Sequence, residues 1–273
     1  MVERWMRDFS CQMYARFLLA MRQDGYQALA LEDWCSGIRP PKAVILRHDV
    51  DRFPGRALKL ARIESHYGVR STYYFRYKRR VFIPEMAAEI HALGHEVGYH
   101  YEVLADSAGD IDAAKALFAA NIAAMRRVVP VATAAMHGRP LSSYCELDFW
   151  NHASLEDFGL AGEAYLFFRE TGIPYLNDTG RTWCDGACNL RDRMVPGHAR
   201  PSEAGAPPFG AREIRTTEQL MAEMANGGHP VLYLSFHPER WPEGVAAQRM
   251  GAMQDAVCNL IKFMLKKVRH AQS

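Results

Sequence analysis

The chain has 273 residues, 49% of them hydrophobic, and its 33 basic and 31 acidic residues leave a formal net charge of +2. That is enough apolar material for one sizeable core, and so even a charge balance argues against nucleic acid or an anionic membrane surface as the main partner. No stretch approaches the roughly 20 uncharged residues of a membrane span.

In chain order, Phe9, Met13, Phe17, Leu18 and Met21 recur at helical spacing up to Asp24-Gly25, and "LEDWC" suggests a short helix before Pro40-Pro41. Val44–Leu46 is a short buried strand. "PGRALKLARIESHYG" is a helix with Pro near its start and Gly68 past its end. "STYYFRY" is a strand and reads as barrel core. "PEMAAEIHALG" is a helix, "HEVGYH" a strand, "DIDAAKALFAANIAAMRRVV" a long helix and "VATAAMH" a strand. The stretch 138–210 is irregular and rich in proline, with "LAGEAYLFFRETG" as a helix, "IPYLND" as a short strand and "SEAGAPPFG" as an exposed loop. "TTEQLMAEMANGG" is a helix capped by Thr216 or Thr217. "HPVLYLSFHPERW" is a strand ending at His237, and the last helix is "AAQRMGAMQDAVCNLIKFMLKKVRH". Strands that are apolar throughout and alternate with helices imply a parallel sheet covered by helices, as in an α/β barrel or a doubly wound fold.

In both architectures functional groups gather beyond the carboxyl ends of the strands. Here those ends carry His48, Asp49 and Asp51; His100, Tyr101 and Glu102; His137, Gly138 and Arg139; Asn177 and Asp178; and His237. The charge in "RHDVD" therefore need not be buried in the sheet and can emerge at the rim of a pocket. His, Asp and Glu together suit a borderline or hard divalent metal such as zinc, cobalt, nickel or manganese. Such a metal lowers the pKa of a bound water and polarises a carbonyl, while a spare carboxylate and a spare imidazole serve as base and acid. The set fits hydrolysis of an amide or ester.

Plainer readings stand beside this one. Asp49 and Asp51 would serve equally to cap the helix near Pro54. His95 reads as a packed histidine, and His66, His91, His152 and His270 as surface residues. Lys78-Arg79-Arg80 and Lys266-Lys267-Arg269 read as solvated faces. Glu3, Arg4, Arg7 and Asp8 precede a short apolar stretch bounded by Arg16 and Arg22, which is unlike a secretory signal. The expected compartment is the cytoplasm, with the six cysteines as free thiols; Cys184 and Cys188 lack the second pair of a structural zinc site.

The arrangement resembles the polysaccharide deacetylase family, the NodB-homology enzymes of carbohydrate esterase family 4, over roughly residues 43–241. "LRHDVD" is similar to the first motif, T-F-D-D-G, in the form of a divergent branch; Asp49 matches its first Asp, Val50 stands at its second, and Asp51 substitutes one residue on. "GHEVGYHYEVL" matches G-H-E-I-G-N-H-[ST]-x-x-H through His100, but Leu104 occupies the second histidine. "HGRP" resembles the third motif, "YLNDTGRTW" the fourth and "VLYLSFHPERW" the fifth. The resemblance implies a distorted (β/α)7 barrel in a single domain spanning 1–273, with residues 1–40 as a helical extension packed on it.

It also implies metal-dependent removal of an N- or O-acetyl group from a sugar, a glycan precursor or a related small amide. Asp51 and His100 would hold a divalent ion, with zinc expected. His137 is preferred as third ligand and Glu102 remains the alternative. Asp49 would act as base, tuned by His48 or Arg139, and His237 as acid. Glu102, Arg139, Asp178 and Trp183 would line the substrate site, with Trp183 walling an acyl pocket. The missing second histidine leaves two other outcomes open: hydrolysis of a cyclic amide or ureide with altered metal dependence, and an inactive barrel that binds a glycan or a protein.

Overall fold

The computed structural model describes residues 8–139, 142–166, 173–183, 214–253 and 255–256. The Cys184/Cys188 pair, the "SEAGAPPFG" loop, the Lys266–Arg269 cluster, His270 and the end of the last helix lie outside the described residues.

The chain runs α1 (Cys11–Gln23), β1 (Gln27–Leu29), α2 (Leu31–Cys35), β2 (Ala43–Val50), α3 (Pro54–His66), β3 (Thr72–Phe75), α4 (Pro84–Ala92) and β4 (Glu96–Tyr101). It continues through α5 (Val103–Asp106), α6 (Ile111–Arg126), β5 (Thr133–Met136), β6 (Gly162–Glu163), β7 (Tyr175–Asn177), α7 (Thr217–Ala225) and β8 (Val231–Phe236). Among the described residues the 3-10 turns Glu146–Asn151, Glu156–Phe158 and Pro238–Arg240 lie in the connections. Among the described residues every strand pairing is parallel, and seven strands follow the order β6-β5-β4-β3-β2-β8-β7. With its flanking helices this is the architecture of a distorted (β/α)7 barrel.

The eighth strand was not expected. β1 pairs with the start of β2, from Ala43 to Ile45, on the edge that β3 occupies from Arg47 onward. The N-terminal segment therefore carries sheet as well as helix. Within "LAGEAYLFFRETG" the expected helix is preceded by β6. Two residues are too few to leave a period-2 pattern, so sequence periodicity had nothing to report there.

The largest departure is β2. It runs to Val50, through the charged cluster, and is buried along its whole length. Alternation sends Ala43, Ile45, Arg47 and Asp49 inward and Val44, Leu46 and His48 outward. Ala43 and Ile45 pack inside with Tyr74, Ala135 and Tyr233, whereas Val44 and Leu46 join an outer core with Phe17, Leu60 and Phe236. Tyr74 lies across the barrel only because Gly98 faces it; a Cβ on Gly98 would sit 2.3 Å from the Tyr74 ring.

The outward polar residue, His48, is held through its Nε2 by a buried network, while its Nδ1 has no hydrogen-bond partner. Its Nε2 lies 2.8 Å from Glu64 Oε1 on α3, and its ring stacks on Tyr73. Glu64 also accepts hydrogen bonds from Ser71 Oγ, Tyr73 OH and Tyr14 OH of α1, so this buried carboxylate pins α1 and α3 to the sheet. His95 packs against the same group, 3.6 Å from Glu64 Oε2, and so is a buried packed histidine.

Burial alone would raise the Glu64 pKa. His48 first, then His95 and the Ser71 hydroxyl, outweigh it and hold the carboxyl at about 2, against 4.5 ordinarily. A depressed folded pKa contributes stability that is present above the unfolded value and lost as pH falls through the folded one. Glu64→Gln should therefore lower unfolding free energy by about 3 kcal/mol at neutral pH. In urea melts that gap should narrow steadily below pH 4.5; a gap constant from pH 7 to pH 3 would contradict this account.

Candidate active site

Period-2 alternation carries the inward faces of neighbouring strands beyond the sheet, and this assembles the site. Asp51 continues the inward series of β2, His100 ends that of β4, His137 follows β5 and His237 follows β8. Asp51 Oδ1 lies 3.4 Å from His100 Nε2 and 3.4 Å from His137 Nε2. The potential ligand atoms of Asp51, His100 and His137 all fall within 4.8 Å of one another.

The hydrogen bonds on the far side of each ring define what faces inward. His100 Nδ1 lies 2.9 Å from the Ala135 carbonyl, and His137 Nδ1 lies 2.9 Å from Glu102 Oε2. A carbonyl and a carboxylate only accept, so both rings donate at Nδ1 and, when neutral, present the Nε2 lone pair to Asp51. Asp51 Oδ1 is buried and has no hydrogen-bond partner. Three lone-pair atoms thus converge, an arrangement that sharing a cation would satisfy. His donating to a carboxylate or carbonyl behind a metal is the usual way such ligands are oriented. The residues present fit a divalent ion. Burial would raise the Asp51 carboxyl, but His137, His100 and His237 together hold it well below the ordinary carboxylate range.

Glu102 lies behind His137. Its Oε1 accepts from Arg76 Nη2 at 2.7 Å and lies 3.2 Å from Lys78 Nζ, and burial's upward push is overcome chiefly by His137 and Arg76, so its pKa is lowered. Arg139 reaches outward to Asp106, 3.1 Å, and 3.7 Å from Glu102. Leu104, at the place of the second histidine, is buried in the outer apolar core with Phe118 and Phe149, away from the mouth.

Asp49 sits one inward step below Asp51. Arg47 clamps it with two hydrogen bonds, Nε to Oδ1 at 2.6 Å and Nη2 to Oδ2 at 2.8 Å. Both side chains are almost fully buried, 0% and 4% exposed. Arg47 also lies over the Tyr165 ring, 4.4 Å from its centroid. Within this cluster the expectation of emergence at a rim holds for Asp51, which is partly exposed, and is corrected for Arg47 and Asp49: β2 buries them, and the fork-on-carboxylate geometry is what makes burial tolerable. Desolvation raises the Asp49 pKa, but Arg47, then His100 and His237, lower it further, and the group stays ionised. His48 does not tune Asp49, because it lies on the opposite face of the sheet. Neither aspartate caps α3, whose N-cap is Phe53 with no side-chain capping bond.

His237 is held by Asp178, which accepts from its ring Nδ1 at 2.6 Å and from its backbone N–H at 2.9 Å. Asp178 is fully buried and also receives Trp241 Nε1 and Arg240 Nη1. It braces His237 and offers no surface to a substrate. Burial and Arg240 act to lower the His237 pKa; Asp178 and Asp49 outweigh them and the net shift is upward. Trp183 has no exposed surface. It packs against Phe9, Phe236 and Trp241 and donates to Thr217 Oγ1, which places it in the core and not at the wall of an acyl pocket.

Arg47, Arg76 and Arg240 were not anticipated. Arg47 was legible, since residues two apart in a strand share a face and Arg47, Asp49 and Asp51 form such a series. The other two act through tertiary contacts that no local pattern announces. Among the described residues no helix is long and apolar enough to cross a membrane.

The fold and site define a parallel α/β protein with a cation-shaped cluster at the carboxyl ends of its strands. No protein-family model matches the chain, and no curated protein matches it. Among solved structures it is similar to the peptidoglycan deacetylase PdaC from Bacillus subtilis, in a mutant form, with a TM-score of 0.37 and 11% identity over 85% of this chain and 98% of that one.

Proposed function

We propose that the protein is a metal-dependent hydrolase that removes an acetyl group from a sugar or glycan precursor. The observation that supports it most is the convergence of Asp51 Oδ1 with the Nε2 atoms of His100 and His137, each ring already donating behind. In this reading those three residues hold the ion and Glu102 orients His137. The ion supplies Lewis acidity, lowering the pKa of a water and polarising the carbonyl to be attacked.

The chain's own residues handle the protons. Asp49, kept ionised by Arg47, accepts the proton of the attacking water at Oδ2, the oxygen 3.9 Å from His100 Nε2. His237, held at Nδ1 by Asp178, donates from Nε2 to the departing amine or alkoxide. The order of the motifs along the chain agrees with this assignment, with Asp51 and His137 replacing the usual second Asp and second His.

His237→Ala should lower kcat by about 10²–10⁴-fold on an N-acetylglucosamine oligomer, read as acetate release. The acid must be protonated to act, so wild-type kcat should fall as pH rises through the raised His237 pKa, above the ordinary 6.5. That alkaline limb should be missing in the variant. An unchanged limb would remove His237 from the role of acid.

A further inference from the structure

Among the described residues Phe53 is a large side chain near this mouth whose placement the chemistry above does not explain. It lies two residues beyond Asp51 and is 51% exposed. Its backbone is left-handed, φ 53° and ψ 59°, a conformation that a bulky side chain adopts at a penalty. Glycine or asparagine would adopt it with little strain. The ring is therefore half-exposed on strained backbone, and what covers it is the pair of arginines Arg52 and Arg56 and not an apolar core. Strain of this kind persists where it serves a ligand or a reaction.

The surroundings fix where the ring stands. The Arg56 guanidinium lies 4.8 Å from its centroid and that of Arg52 5.8 Å. Both arginines reach across to the segment after His237: Arg52 Nε lies 3.5 Å from Glu239 Oε1, and Arg56 Nη1 donates to the Glu239 carbonyl. The ring is thus held between the loop carrying Asp51 and the loop carrying His237. A flat apolar face at that position suits the C–H face of a pyranose ring, which aromatic side chains bind through area and ring electrostatics.

We propose that Phe53 is a sugar platform, stacking on a pyranose unit next to the one whose acyl group enters the site. This rests on the deacetylase reading for its substrate class but not for its test. The N-acetylglucosamine tetramer is titrated calorimetrically into the wild type, Phe53→Asn and Phe53→Tyr. Acetate release by the wild type and thermal midpoints are measured in parallel. Phe53→Asn should raise Kd by about tenfold or more while melting no lower than the wild type, and Phe53→Tyr should stay within about threefold. Wild-type affinity in Phe53→Asn, a lowered melting point in it, or no tetramer binding by the wild type overturns the platform. Unchanged affinity with acetate released leaves the deacetylase reading standing. Lost affinity in Phe53→Asn with no acetate from the wild type leaves the platform and removes the deacetylase.

Discussion

Asp51→Ala is expected to take metal content from about one ion per chain to none and to abolish acetate release, with the fold retained. Asp51 is the only carboxylate in the triad, and its Oδ1 faces both imidazoles without a hydrogen bond of its own. Removing it leaves two neutral nitrogens, which hold a divalent ion far more weakly than three ligands do. The side chain follows the end of β2 at the mouth and is partly exposed, so its loss opens no core cavity. Two companions settle the third ligand. His137→Ala should lose most of the ion, whereas Glu102→Ala, which frees the His137 ring and leaves Arg76 and Lys78 without this carboxylate, should weaken affinity by about 10–100-fold. Elemental analysis of protein dialysed against chelator and reloaded with zinc reads all three. Full retention of metal by Asp51→Ala would dismantle the site as described.

Arg47→Met is expected to destabilise the protein by about 3–5 kcal/mol and to remove turnover while metal content stays near that of the wild type. Both members of the Arg47–Asp49 pair are buried, and truncating one strands the other's charge inside the barrel. Asp49 must then take up a proton, which ends its service as a base. The double variant Arg47→Met/Asp49→Leu, with no charge left at this pair, should recover most of the stability and none of the turnover. Urea unfolding gives the stability and acetate release the activity. A double variant as unstable as Arg47→Met would mean that shape, and not stranded charge, causes the loss. The same logic predicts that Asp49→Asn is inactive, binds metal and is also less stable, because Arg47 then loses its anion.

Much of this molecule was readable from the residues in order. Continuous apolar strands alternating with helices specify a parallel, doubly covered sheet, since only strands buried on both faces can omit polar alternation. The capping box at Thr216 and Gln219 and the proline starts of α3 and α4 were local signals, and they hold because a cap needs only residues within one turn. The positions of Asp51, His100, His137 and His237 were legible too, because chemistry in such folds collects at strand ends.

What no linear reading supplied is which atoms each of those groups meets. Whether Glu102 or His137 turns toward Asp51 depends on Arg76 and Lys78, which lie in the loop after β3. Whether the charge of "RHDVD" emerges or stays buried depends on Arg47 finding both oxygens of Asp49 inside the barrel while Glu64, from α3, waits for His48 outside it. Periodicity assigns a face to a residue; it carries no information about the partner across the sheet. Burial of charge is decided by those partners, and only the closed tertiary structure brings them within hydrogen-bonding distance.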